Sequence, residues 1–153
     1  MIVTFCGHST FFCDEKDEKR LLNLLEKVAL KNQVNFYLGG YGNFDNFALK
    51  CANLYKKQHK NAKIVFVTPY LGKWLDKRKE FLKQNYDEII YPEIEFVPQK
   101  LAIIKRNEWM IDQADFIFAY VTTHFGGAYK SLLYALKNKK PYVNLFQEKH
   151  DLY

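Results

Sequence analysis

Cysteine is scarce in this 153-residue sequence, and odd in number. Cys6, Cys13 and Cys51 contain no CxxC pair, so neither a disulfide framework nor a zinc site follows, and a reducing compartment fits. Long apolar runs are missing too. None reaches the roughly 18 residues of a membrane-spanning helix, and the start Met1-Ile2-Val3-Thr4-Phe5 lacks the basic and long apolar regions of a secretion signal. The expectation is a soluble, cytoplasmic protein with no membrane partner and no bound metal. Arginine is nearly absent: Arg20, Arg78 and Arg106 stand among 23 basic residues, which against 17 acidic ones give a net charge of +6. Bidentate recognition of phosphates or bases usually recruits Arg, so this surplus reads first as lysine-rich surface. Repeats, low-complexity tracts and Gly/Ser/Pro linkers are also lacking. With 48% apolar residues the chain can fill one sizeable core, and a single domain over 1–153 is expected.

Strand and helix patterns alternate along the chain. Ile2 to Phe5 is a short β-branched and aromatic run stopped at Cys6-Gly7. Leu21, Leu22, Leu25, Val28 and Ala29 recur at helical spacing within about 15–31. A second strand, Asn35 to Leu38, ends at Gly39-Gly40, and Phe47, Ala48, Cys51, Ala52 and Tyr55 mark one face of the helix after it. Lys63 to Thr68 is the clearest strand, halted at Pro69. A helix is read over 73–86, an extended connection over 88–98, a helix over 99–113, a strand over 115–120, a helix over 128–137 and a last strand over 141–145. This order predicts a Rossmann-like α/β three-layer sandwich with a mostly parallel sheet of about five strands, because parallel neighbours need crossover helices.

Six of the seven glycines fall in three loops that directly follow predicted strands: Gly7; Gly39, Gly40 and Gly42; Gly126 and Gly127. In an open parallel sheet such loops emerge together at the carboxyl edge, where ligands bind near the switch in strand order. Glycine lets the backbone approach a ligand, and the helix start that follows offers unpaired N–H groups to an anion. The implied ligand carries phosphate.

The neighbours of these glycines extend the candidate site. Gly7-His8-Ser9 supplies amides, an imidazole and a hydroxyl, and Tyr41 supplies an aromatic face, as Tyr120 would. Asp45 has two readings: a carboxylate that caps its helix, or a site residue that accepts a ribose hydroxyl or orients a water. Arg106 and Asn107 sit on a helix whose same-side neighbours are Ile103 and Met110, so Arg106 either faces a pocket or covers the surface with its stem. Thr122, followed by Gly126, Gly127 and Lys130, forms a hydroxyl-bearing glycine loop with a lysine one turn into the next helix. Trp109 and Met110 are either core or part of a dimer face.

The segments VTFCGHS, GGYGNFD, RNEWM and GGAYKSLLYA, in order over about residues 3–145, resemble the SLOG superfamily, and within it a small single-domain bacterial group of unknown function. The resemblance implies a Rossmann-like sheet with a pocket for nucleotides or nucleotide-derived ligands at the carboxyl strand edge. Related branches include the cytokinin-activating LOG phosphoribohydrolases, DNA-processing proteins and sensors of ADP-ribose-like signals. LOG enzymes carry a PGGxGTxxE motif preceded by an Arg-Lys pair. Gly126 and Gly127 match its leading glycines and Arg106 its arginine, whereas Tyr129, Lys130 and Leu133 stand in place of its third glycine, threonine and catalytic glutamate, and Asn107 in place of its lysine.

Three functions therefore compete. The first is binding of a nucleotide-derived small molecule without any further cofactor, with phosphate on the glycine-loop amides, Arg106 and Lys130 as cationic partners, and action as a sensor, regulator or sequestering protein. SLOG domains commonly pair, so a homodimer is expected. The second is N-glycosidic hydrolysis of a nucleoside monophosphate with Asp45 as catalytic residue. The third, ranked last, is single-stranded nucleic-acid binding, suggested by Lys56, Lys57 and Lys60, by Lys137, Lys139 and Lys140, and by 13 Phe, 11 Tyr and 2 Trp.

Overall fold

The first strand, β1 (Ile2–Gly7), occupies the middle of the sheet and is apolar on both faces, with Val3, Thr4, Phe5 and Cys6 all buried. A strand covered on both sides reads as a continuous apolar run, which is the pattern seen here. Its one buried hydroxyl, Thr4 Oγ1, donates to the Tyr37 carbonyl at 2.8 Å. The computed structural model describes residues 1–146; residues 147–153, the end of the single unit expected from the sequence, lie outside the described residues.

Six strands form one all-parallel sheet in the order β4-β3-β2-β1-β5-β6. The others are β2 (Asn35–Leu38), β3 (Lys63–Val67), β4 (Glu88–Ile90), β5 (Phe116–Tyr120) and β6 (Tyr142–Asn144). The Rossmann-like sandwich holds, with one strand more than expected. That strand is β4, inside the segment 88–98 read as a connection. It has only three residues, none fully buried, and owes its conformation to pairing with Val65–Val67 rather than to its own pattern.

Helices α1 (Glu15–Ala29) and α2 (Gly42–Gln58) cover one face, packing Leu21, Leu25, Phe44, Phe47 and Cys51 on Phe5 and Phe36. The start of α1 is fixed by a capping box, Asp14 accepting from the Asp17 amide at 2.9 Å and Asp17 from the Asp14 amide at 3.1 Å. Helices α5 (Ala102–Gln113) and α6 (Gly127–Lys137) cover the other face, where Ile111, Leu132 and Ala135 meet Ile117 and Ala119. The helix read over 73–86 is two short ones, α3 (Lys73–Asp76) and α4 (Lys79–Asn85). Between them Arg78 lies over the Trp74 ring at 3.9 Å and donates to the Trp74 carbonyl. Trp109 stacks on Tyr37 at 5.8 Å and is partly exposed, and Met110 is buried against Val65 and Val67. No helix among the described residues is long and apolar enough to cross a membrane.

Candidate functional site

Strand order reverses between β1 and β5: the chain runs outward from β1 through β2, β3 and β4, then returns to β5 on the other side. The exit loops of β1 and β5 therefore diverge, and between them opens a cleft of about 660 Å³ at the carboxyl edge. This is the position and the size range of a small-molecule site in an open α/β sheet.

The glycines around it do different jobs. A Cβ on Gly7 would come within 2.2 Å of the Phe44 ring, one on Gly42 within 2.7 Å of Ser9 Cα, and one on Gly39 within 2.9 Å of the Arg106 guanidinium. Gly40, with φ +68°, lies against Phe66. These four let the walls close on each other: the β1 loop is pressed onto the start of α2, where the Asn43 amide also donates to the Ser9 carbonyl at 3.0 Å. Of the four, only Gly7 borders the cleft. Gly126, φ +91°, and Gly127 are the opposite case. Both border the cleft, and a Cβ on either would meet nothing within 4 Å. They open the α6 N-terminus, which no side chain caps, onto free space.

The expected residues gather as follows. Gly7, His8, Ser9, Tyr41, Asp45, Arg106, Asn107, Thr122, Gly126 and Gly127 all border the cleft; Gly39, Gly40, Gly42 and Lys130 do not. His8 Nε2 accepts from the Thr122 amide at 2.8 Å, a bond that ties the two exit loops together. Asp45 combines a helix-start bond with a place in the cleft wall. One carboxyl oxygen accepts from the Tyr41 amide at 2.8 Å, as a helix-start carboxylate does, while the group itself forms part of the cleft wall. Burial pushes its carboxyl up to about 6, against the lowering pull of the Tyr41 amide and of Arg106.

Arg106 is buried on the cleft floor. Nη1 donates to the carbonyls of Gly39 at 3.1 Å and Val67 at 2.8 Å, clamping the ends of β2 and β3, and Nε donates to Asn107 Oδ1 at 2.9 Å. Nη2 has no hydrogen bond among the described residues, and none of their buried side-chain nitrogens or oxygens lacks a partner, so Nη2 is the part of Arg106 that meets the cleft. Cys6 also borders the cleft, but burial first and Asp45 second push its thiol up to about 12, which removes it as a nucleophile near neutral pH. Among the described residues no group of three or more His, Cys, Asp or Glu is placed to hold a metal ion.

Sequence reasoning passed over the rim. Phe12, Tyr41 and Phe125 border the cleft and are 86%, 70% and 73% exposed, a concentration of uncovered aromatic rings that packing does not require. Only Tyr41 was among the expected residues.

An all-parallel sheet with a cleft at its β1/β5 switch point, bounded by glycine loops, defines a Rossmann-like α/β protein, and solved structures share this fold. DNA processing protein A from Helicobacter pylori, known for a single-stranded DNA binding mode, aligns over 93% of this chain with a TM-score of 0.62 and 18% identity. DNA processing protein A from Streptococcus pneumoniae aligns over 92% with a TM-score of 0.59 and 13% identity. The chain spans 63% and 48% of those two proteins, and at such identities the likeness concerns the fold alone. No protein-family model matches the chain. In sequence it is 31% identical over 141 residues to the uncharacterized SPbeta prophage-derived protein YoqJ of Bacillus subtilis strain 168, an alignment covering 80% of this chain and 81% of YoqJ. The chain belongs to the YoqJ family.

Proposed function

We propose that the cleft binds a nucleotide-derived ligand and that the protein acts as a sensor, regulator or sequestering partner for it. The observation that carries this reading is the pairing of two features around one opening. Three exposed aromatic rings ring a cleft into which an uncapped helix start projects its glycine amides. Base stacking on an aromatic side chain is worth about 1–3 kcal/mol, and a hydrogen bond to a charged group about 1.5–3 kcal/mol. One base and one phosphate therefore suffice for useful affinity without a lysine cluster.

Gly127→Ala separates binding from folding. Gly127 is the first helical residue of α6 with open space around it, so alanine costs the fold nothing and slightly favours the helix. Its methyl group would occupy the space claimed for the phosphate. We expect an unchanged or slightly raised melting temperature and at least tenfold weaker binding, about 1.4 kcal/mol, by calorimetry with the nucleotide that wild type retains best. Equal affinity in the two proteins would move the phosphate elsewhere.

Single-stranded nucleic acid is the second reading, favoured by the fold shared with a single-stranded-DNA-binding neighbour. Here successive bases would lie on Phe12, Tyr41 and Phe125. Because all three rings are exposed, the triple alanine variant should fold normally yet lose oligonucleotide affinity by about 100-fold at roughly 1 kcal/mol per ring. Fluorescence anisotropy at two salt concentrations checks this, and an unaltered affinity would discard the strand reading. In either assay, mass spectrometry of the bound and free fractions shows whether the ligand stays intact. Release of free base would convert the binding site into a hydrolase with Asp45 as its acid–base group.

A further inference from the structure

We infer that the cleft selects a nucleotide phosphodiester, with one negative charge per phosphate, over nucleotides with terminal or multiple phosphates. This rests on the reading of the cleft as a nucleotide site and specifies its ligand class. The inference comes from counting charge where a ligand would sit. Among the described residues the walls carry one arginine, Arg106, and one carboxylate, Asp45, and no lysine or glutamate borders the cleft. His8 Nε2 is taken up by the Thr122 amide at 2.8 Å. Lys130 lies in the first turns of α6 but outside the walls, and is exposed.

What Arg106 can offer is limited. Arg106 is 2% exposed, Nη1 is spent on two carbonyls and Nε on Asn107, which leaves Nη2 as the donor presented to a ligand. One such nitrogen, together with the uncapped amides of α6, matches the oxygens of one phosphate. A second phosphate, or the second charge of a terminal monoester, would find no further cation among the described residues of the walls. It would instead face Asp45, which is ionised above about pH 6, and a like charge in a partly desolvated site is strongly disfavoured. Polyphosphates usually escape such a penalty by bringing a divalent cation. Such an ion is held by one or two carboxylates and the phosphates themselves, and Asp45 is the single carboxylate on the described walls, so the Mg²⁺ arm of the test below checks this escape.

Two sources share this chemistry: a cyclic mononucleotide and an internal phosphate of a single strand. They differ in the number of bases, one against several, and three rim aromatics are available.

The test is calorimetry at pH 7.5, with and without Mg²⁺, on an adenine series: adenylyl(3′→5′)adenosine, 3′,5′-cyclic AMP, AMP, ADP and ATP. We expect at least one diester to bind tenfold or more tighter than AMP, with ADP and ATP weaker again. AMP, ADP or ATP binding as tightly as both diesters overturns the inference and leaves the nucleotide site standing. No binding by any of the five overturns the site itself. In Asp45→Asn the diester preference should shrink several-fold through a gain by ADP, and an unchanged ratio would refute the charge argument. Phe125→Ala separates the sources: a loss confined to the dinucleotide indicates a strand, and equal losses indicate a cyclic nucleotide.

Discussion

Arg106→Ala is expected to lower the melting temperature by about 10 °C. The side chain does its structural work at a seam in the sheet: Nη1 bonds the carbonyls of Gly39 and Val67, the last turns of chain leaving β2 and β3. Alanine leaves both without that donor and opens space beneath the cleft. A buried group stripped of its partner costs about 1–3 kcal/mol, so two of them with some relaxation cost about 3–4 kcal/mol, and in a chain of this size each kcal/mol lowers the melting temperature by about 2–4 °C. Arg106→Lys should recover part of the loss, because a single ammonium reaches one carbonyl but lacks the planar fork of the guanidinium. Denaturant titration provides the check, with a lower midpoint and an unchanged slope. A midpoint within a few tenths molar of wild type would mean that the clamp contributes little. Loss of ligand binding in this variant would not by itself identify Arg106 as a ligand partner, which is why Gly127 carries the binding test.

Much of this architecture is legible in the sequence, for a definite reason. Buried parallel strands are apolar runs that end abruptly, and in this chain glycine or proline marks several of the ends, at Gly7, Gly39 and Pro69. The one strand not anticipated, Glu88–Ile90, lacks a buried residue and exists only through its neighbour β3. The glycine loops were correctly located at the carboxyl edge, yet why each glycine is there was invisible. Gly7 makes room for Phe44 and Gly42 for Ser9, contacts between residues distant in the chain that no local pattern encodes. Gly126 and Gly127, with the same composition, face open space.

The rim shows the same limit from the other side. Phe11 and Phe12 are adjacent and identical in type, but Phe11 packs between Phe44, Phe47 and Tyr120 whereas Phe12 is left uncovered. A sequence with 13 phenylalanines gives no reason to suspect one of them. The local hint is that Phe12 and Phe125 lie in loops, outside any helical or strand period.

Asp45→Asn is expected to make the protein more stable at neutral pH and no more stable in acid. The carboxyl titrates at about 6 in the fold, above the roughly 3.9 of an unfolded aspartate. Below pH 4 it is protonated in both states and costs nothing. Between pH 4 and 6 the unfolded chain has lost its proton while the folded protein keeps it, so stability falls as pH rises, and above pH 6 the full penalty remains. Two pKa units correspond to about 3 kcal/mol, which partial exposure of Asp45 reduces to about 1–2 kcal/mol. Asparagine keeps an oxygen for the Tyr41 amide and removes the charge. The variant should match wild type near pH 4 and melt about 3–6 °C higher at pH 7.5. Equal or lower stability at pH 7.5 would show that Arg106 and the Tyr41 amide already compensate the carboxylate. A gain there has a functional meaning, because a fold that retains a destabilising ionised group at the wall of its cleft, where a neutral isostere would fit, holds that charge for the ligand rather than for itself.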